Sequence, residues 1–238
     1  MGRWGTVDPM AEKYPSISPY VYCLNNPVKY IDPDGRVVIA ADVKARQNII
    51  NTLSKEEAKY VKFNDDNILD ASLLNQYTGS SDNFTALNTL TNSKTNYIFA
   101  VANQDINGDK FYEKGSNFNN SDNFSYGVTN MPGMDNNPSP DDNVYIFTAS
   151  FLRKKKQVTN IAHEGYGHAY FYELSKKDPS INPNHTRGVV GEGKEYDSEL
   201  KEYVPYFIFG KGKTNHKLEE QIRKVEQQAI KNYEDRNL

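Results

Sequence analysis

The 238-residue chain has a net charge of −3 and a pI near 5.9. It has room for one good-sized domain with appendages and lacks the basic excess of a phosphate-binding surface, so nucleic acid is not an expected partner. A single cysteine, Cys23, excludes an internal disulfide framework. No apolar run approaches the roughly 18 residues needed to cross a bilayer, and the N-terminus lacks the apolar core of a signal peptide. Two expectations remain, a cytosolic protein or one exported as part of something larger.

Residues 3 to 36 read as a succession of turns. Asp8-Pro9, Ser18-Pro19, Asn26-Pro27 and Asp32-Pro33-Asp34-Gly35 are each expected to reverse the chain, with Tyr20, Tyr22 and Tyr30 as aromatic anchors between them. So little apolar area cannot fold alone. This spaced pattern resembles the end of the RHS-repeat-associated core domain, in which a tyrosine-rich β-shell is followed directly by a variable C-terminal toxin. The resemblance implies a boundary at residue 36, a payload at residues 37–238, and an upstream RHS shell. It also implies export or delivery as the C-terminal part of a larger secreted or cell-surface RHS protein, action in a target cell, and a cognate immunity protein. In some relatives paired aspartates of this motif cut the chain. Here they correspond to Asp8 and Asp32, although Asp8-Pro9-Met10-Ala11 lacks the glycine of the fuller form.

Beyond the boundary, residues 37–41 read as a short strand and residues 43–53 as an amphipathic helix. Ser54 followed by Glu57 is a capping box that opens a further helix towards Tyr60 and Val61. Residues 67–77 and 82–90 are expected to be helical, and residues 97–102 a strand. The run Asp105-Ile106-Asn107-Gly108-Asp109 invites a calcium reading, but an EF-hand loop needs glycine and glutamate where Lys110 and Ser116 stand. A type I′ hairpin turn at Asn107-Gly108 is the expectation instead. Residues 115–142, rich in Asn, Ser, Gly and Pro, are expected to form a long loop or irregular sheet edge able to line a cleft.

Residues 143–149 read as a strand, and a helix is expected from about residue 156 to residue 175. It carries His163-Glu164-Gly165-Tyr166-Gly167-His168, two of the four histidines in the protein flanking a glutamate. Zinc-class metals need neutral imidazoles and carboxylates presented together from a rigid element, with a position left for water. The common signature is H-E-x-x-H, whereas here one more residue intervenes. Five steps of about 100° turn the second histidine about 140° from the first on an ideal α-helix. A π-type turn can absorb the extra residue, with Gly165 and Gly167 loosening the backbone. Alternatively, Glu164 and His168, four apart, form the pair that shares a face.

A metal held by two helical residues needs a third ligand. His185, at the end of the proline-rich loop 178–188, ranks first. Glu199 ranks second, from a segment read as a helix that also carries Glu192 and Glu195, whose carboxylates could instead orient a ligand imidazole. His216 is expected at the surface, at the start of a last helix whose apolar stripe is Leu218, Ile222, Val225, Ala229 and Tyr233.

A strand feeding a helix that opens with His-Glu is similar to the order in zinc-dependent peptidases of the zincin type. Residues 37–238 resemble the metallopeptidase toxins at the C-termini of polymorphic toxin proteins. The implied fold is α+β, a zincin-like domain with a small mixed sheet, an active-site helix and a C-terminal amphipathic helix. The implied cofactor is Zn2+ on His163, His168 and His185, with Glu164 as catalytic general base, a target protein as substrate and Tyr166 or Tyr196 assisting the oxyanion. Two other expectations stay open, a metal-dependent nuclease toxin and a non-enzymatic binding module.

Overall fold

A computed structural model describes residues 37–108, 111, 126–134, 137–185, 189–197, 202–209 and 215–237. The RHS-like segment with Asp8 and Asp32, and the alternative ligand Glu199, lie outside the described residues. Residues 189–197 and 202–209 are described by their backbone pairing alone.

The fold is α+β, built on a four-stranded mixed sheet of order β1-β2-β4-β3. Strand β1 (Val38–Ala40) runs parallel to β2 (Tyr97–Ala102), and β2 parallel to β4 (Val144–Ala149). Strand β3 (Gly127–Asn130) closes one edge antiparallel to β4, with Thr129 opposite Ile146. The alternation of β4 shows why both faces are covered. Val144 and Ile146 enter the main core with Tyr97 and Phe99, while Phe147 and Ala149 join Val128, Phe111 and Leu152 on the other side.

The main core fills the space between the sheet and the helices. Helix α1 (Val43–Asn51) starts at Asp42, whose Oδ1 accepts from the Ala45 amide at 2.8 Å and whose Oδ2 accepts from the Val101 amide of β2 at 2.8 Å. One carboxylate thus caps a helix and ties it to the sheet. Helix α3 (Asp82–Thr91) is capped by Ser81. The capping box forms as read, with the Ser54 amide donating to Glu57 Oε2 at 2.8 Å and the Glu57 amide to Ser54 Oγ at 3.3 Å. It opens only a 3-10 turn, Glu57–Tyr60.

Several expectations are corrected. Residues 67–77 are not one helix: Asn67 has a φ of 62°, Ile68 bridges to Ile39, and only α2 (Ala71–Leu74) is helical. Edge pairing with β1 overrides local propensity there. At Asn107-Gly108 the Gly108 amide closes a local turn on the Asp105 carbonyl at 3.2 Å, and the Phe111 amide donates to the Asn103 carbonyl at 2.9 Å across it; the rest of the expected second arm of the hairpin lies outside the described residues. Within residues 115–142, expected as a long loop or an irregular sheet edge, β3 forms the sheet edge beside β4. Glu192 and Glu195 lie on a strand, not a helix: β5 (Val189–Asp197) pairs antiparallel with β6 (Glu202–Phe209) as a separate ribbon.

Strand β4 passes through a short turn into a long helical rod. Gln157 holds that turn, donating to the Ser150 carbonyl at 3.2 Å and the Leu152 carbonyl at 2.9 Å while accepting from Asn48. The rod consists of α4 (Lys154–Ile161), a π-helical segment (Ala162–Ala169) and α5 (Tyr170–Ser175). The last helix, α6 (His216–Asn237), packs along the π segment through Leu218, Ile222, Val225 and Ala229. No helix among the described residues is long and apolar enough to cross a membrane.

Candidate metal centre

The extra residue between the two histidines is taken up as the π-type reading requires. Eight residues, Ala162–Ala169, are π-helical, and the i→i+5 pattern brings residues five apart onto one face. His163 Nε2 and His168 Nε2 stand 3.3 Å apart. Glu164 and His168 are therefore not the pair that converges.

Gly165 and Gly167 serve packing. A Cβ at Gly165 would stand 2.5 Å from Phe99 Cε1 of β2, and one at Gly167 would stand 2.6 Å from Ile222 Cγ1 of α6. Larger residues would push the wide π segment off the sheet on one side and off α6 on the other.

His185 completes the cluster. One ligand nitrogen from each of His163, His168 and His185 lies within 4.8 Å of the others. The loop that brings it is anchored at three points. The Pro183 carbonyl receives His168 Nδ1 at 2.6 Å, Asn215 donates to the carbonyls of Asn182 and Asn184 at 2.7 and 3.2 Å, and Ile181 packs beside Phe171, Leu218 and Ile222.

The outer nitrogens settle the tautomers. A carbonyl only accepts, so His168 Nδ1 carries the proton, and its Nε2 in the neutral ring is a lone pair facing the cluster. Burial, followed by the charges of His163 and His185, holds His168 well below the ordinary histidine range, so this ligand is neutral without help from a metal. His163 differs. Burial opposes its charge, but the hydrogen bond from Nδ1 to Glu226 Oε1 at 2.8 Å and the charge of Glu164 outweigh it and raise its pKa. His185 Nδ1 lies 3.1 Å from Glu219 Oε1.

This donor set suits zinc. A tetrahedral ion with Zn–N bonds of about 2.0–2.1 Å holds its nitrogens about 3.3 Å apart, the spacing of the two Nε2 atoms. Three imidazoles without thiolates or a crowd of oxygens favour zinc-type ions over magnesium or calcium.

Glu164 is buried at the start of the π segment. Its Oε2 accepts from Thr129 Oγ1 at 2.9 Å, and the same hydroxyl lies 3.0 Å from the Glu164 carbonyl. Burial raises its pKa, with the charge of His163 and the Thr129 hydrogen bond opposing and the charge of Glu226 adding to the rise. Nothing local marks Thr129, Glu219 or Glu226, since residues 115–142 read as a loop or irregular sheet edge and α6 as a packing helix.

Tyr166 is corrected. It is fully buried, with its hydroxyl 3.1 Å from Thr52 Oγ1, and burial drives its pKa far up; it is a core residue, not an oxyanion donor. His216 is exposed and begins α6. Comparison of the chain with family models, curated proteins and solved structures yields no match, so the chemistry of the centre is read from its own geometry.

Proposed function

We propose that residues 37–238 are a zinc-dependent peptidase of zincin-like design, with the ion held by His163, His168 and His185 and Glu164 as general base. The observation that carries this reading is the convergence of three imidazole nitrogens within 4.8 Å next to a buried glutamate that follows the first of them. When bound, zinc supplies a Lewis acid for a carbonyl oxygen and makes water acidic near neutral pH.

The chain's own residues supply the remaining steps. His168 and His163 keep their outer nitrogens protonated and offer lone pairs inward. Thr129 holds Glu164 Oε2, leaving Oε1 to take a proton from water as a peptide carbonyl is attacked and to return it to the departing amine. The antiparallel edge strand β3 fixes this carboxylate, so that base and ligands are placed by different elements.

The sequence motif of residues 3–36 supports the wider reading, a toxin payload at the end of an RHS protein, delivered to a target cell and restrained by an immunity protein.

The test is metal content by elemental mass spectrometry, with cleavage of an unstructured protein followed in parallel. About one zinc per chain is expected in the parent and in Glu164→Gln, and none in His168→Ala or His185→Ala. Glu164→Gln should lose about 10²- to 10⁴-fold in cleavage rate. A parent that takes up no zinc after reconstitution overturns the reading. Full activity in Glu164→Gln overturns the role of that residue.

A further inference from the structure

We propose that Glu226 and Glu219 of α6 are positioning residues of the metal centre, each fixing the ring and tautomer of one ligand histidine. The proposal rests on the three-histidine reading above.

Glu226 Oε1 lies 2.8 Å from His163 Nδ1, and Glu219 Oε1 lies 3.1 Å from His185 Nδ1. An ionised carboxylate only accepts, so each Nδ1 is the donor, and the neutral ring keeps its Nε2 lone pair for the ion. With the Pro183 carbonyl on His168 Nδ1, every histidine of the cluster has one outer acceptor. Such partners orient ligand imidazoles and raise their basicity.

The placement on one helix adds a second function. Glu219 and Glu226 are seven residues apart, close to two turns at about 3.6 residues per turn, and Leu218, Ile222 and Val225 near them are buried. His163 comes from the helical rod and His185 from the loop, so a single rigid element fixes the distance between two ligands of independent origin.

Stability alone is a poor explanation of these pairs. The side chains are 25% and 33% exposed in the first pair and 28% and 42% in the second, and ion pairs this open to solvent contribute little to folding. Orienting a ligand ring has the larger consequence.

The experiment measures zinc affinity by competition with a chromogenic chelator in the full chain, for the parent and for Glu226→Ala, Glu226→Gln, Glu219→Ala and Glu219→Gln. The alanine variants should bind zinc about 10- to 100-fold more weakly. The glutamine variants should recover most of that loss, since an amide oxygen still accepts from Nδ1. The metal-free denaturant midpoint should not move. The cobalt-substituted absorption spectrum should keep its shape in all four.

Parent-like affinity in the alanine variants overturns the inference while leaving the peptidase reading intact. A parent without zinc overturns the peptidase reading first. A changed cobalt spectrum in Glu226→Ala would make that carboxylate a ligand and overturn its positioning role.

Discussion

Thr129 shows how much a single hydroxyl can carry at this centre. It meets both the side chain and the main chain of Glu164 from a strand more than thirty residues upstream, and among the described residues no other hydrogen-bond donor reaches the buried carboxylate. Thr129→Val keeps the volume and removes the donor. Leaving a buried acceptor unpaired costs about 1–3 kcal/mol. A denaturant midpoint lowered by that amount, with reduced cleavage and unchanged zinc content, is the expected result. Unchanged stability and cleavage would show that Thr129 does not hold the base. Residue-scale reasoning from sequence reached His163, Glu164, His168 and His185, because histidines are rare here and their spacing is unusual. It missed Thr129, Glu219 and Glu226, since a threonine in a stretch read as loop or irregular sheet edge and glutamates on an amphipathic helix carry no local mark of a site.

At the scale of elements, the π segment decides whether there is a site. An α-helix over the same residues would turn His163 and His168 about 140° apart. The π segment is wider, and the two glycines accommodate it against Phe99 and Ile222. Gly167→Ala should therefore overpack the interface with α6 and destabilise the fold by about 1–3 kcal/mol. Because α6 carries Glu219 and Glu226, zinc affinity should fall as well. Ile222→Ala removes the atoms that the new methyl would meet, so the double variant should be more stable than the sum of the single changes predicts. Additive losses, measured by denaturant unfolding, would contradict this packing account. The π-type turn was legible from the five-residue spacing, whereas the packing role of the glycines was not. The same limit misplaced residues 67–77, where pairing with β1 outweighed helical pattern, and the Glu192–Glu195 segment, which forms a strand.

For the whole molecule, the centre joins parts of the chain that have little else in common: the rod after β4, the proline-rich loop and the C-terminal helix. A metal that binds only this folded arrangement stabilises it by mass action, about 4 kcal/mol at a thousandfold excess over the dissociation constant. Removal of metal with a chelator should lower the thermal midpoint of the parent and of His216→Ala alike. The same treatment should leave His168→Ala unmoved, because that variant has no site to empty. A midpoint that ignores chelator in the parent would mean that the three elements meet without metal as their common partner.

Periodicity and spacing were enough for the strand-to-helix order leading into the site, the candidate histidines and the apolar stripe of α6, because local physics sets them, while the α+β class came as an implication of the resemblance. That the third histidine reaches the other two, that an edge strand supplies the hydroxyl for Glu164, and that α6 supplies two carboxylates became visible in the folded chain. Each of those contacts joins residues far apart in the chain, and their meeting depends on how the core between the sheet and the helices packs.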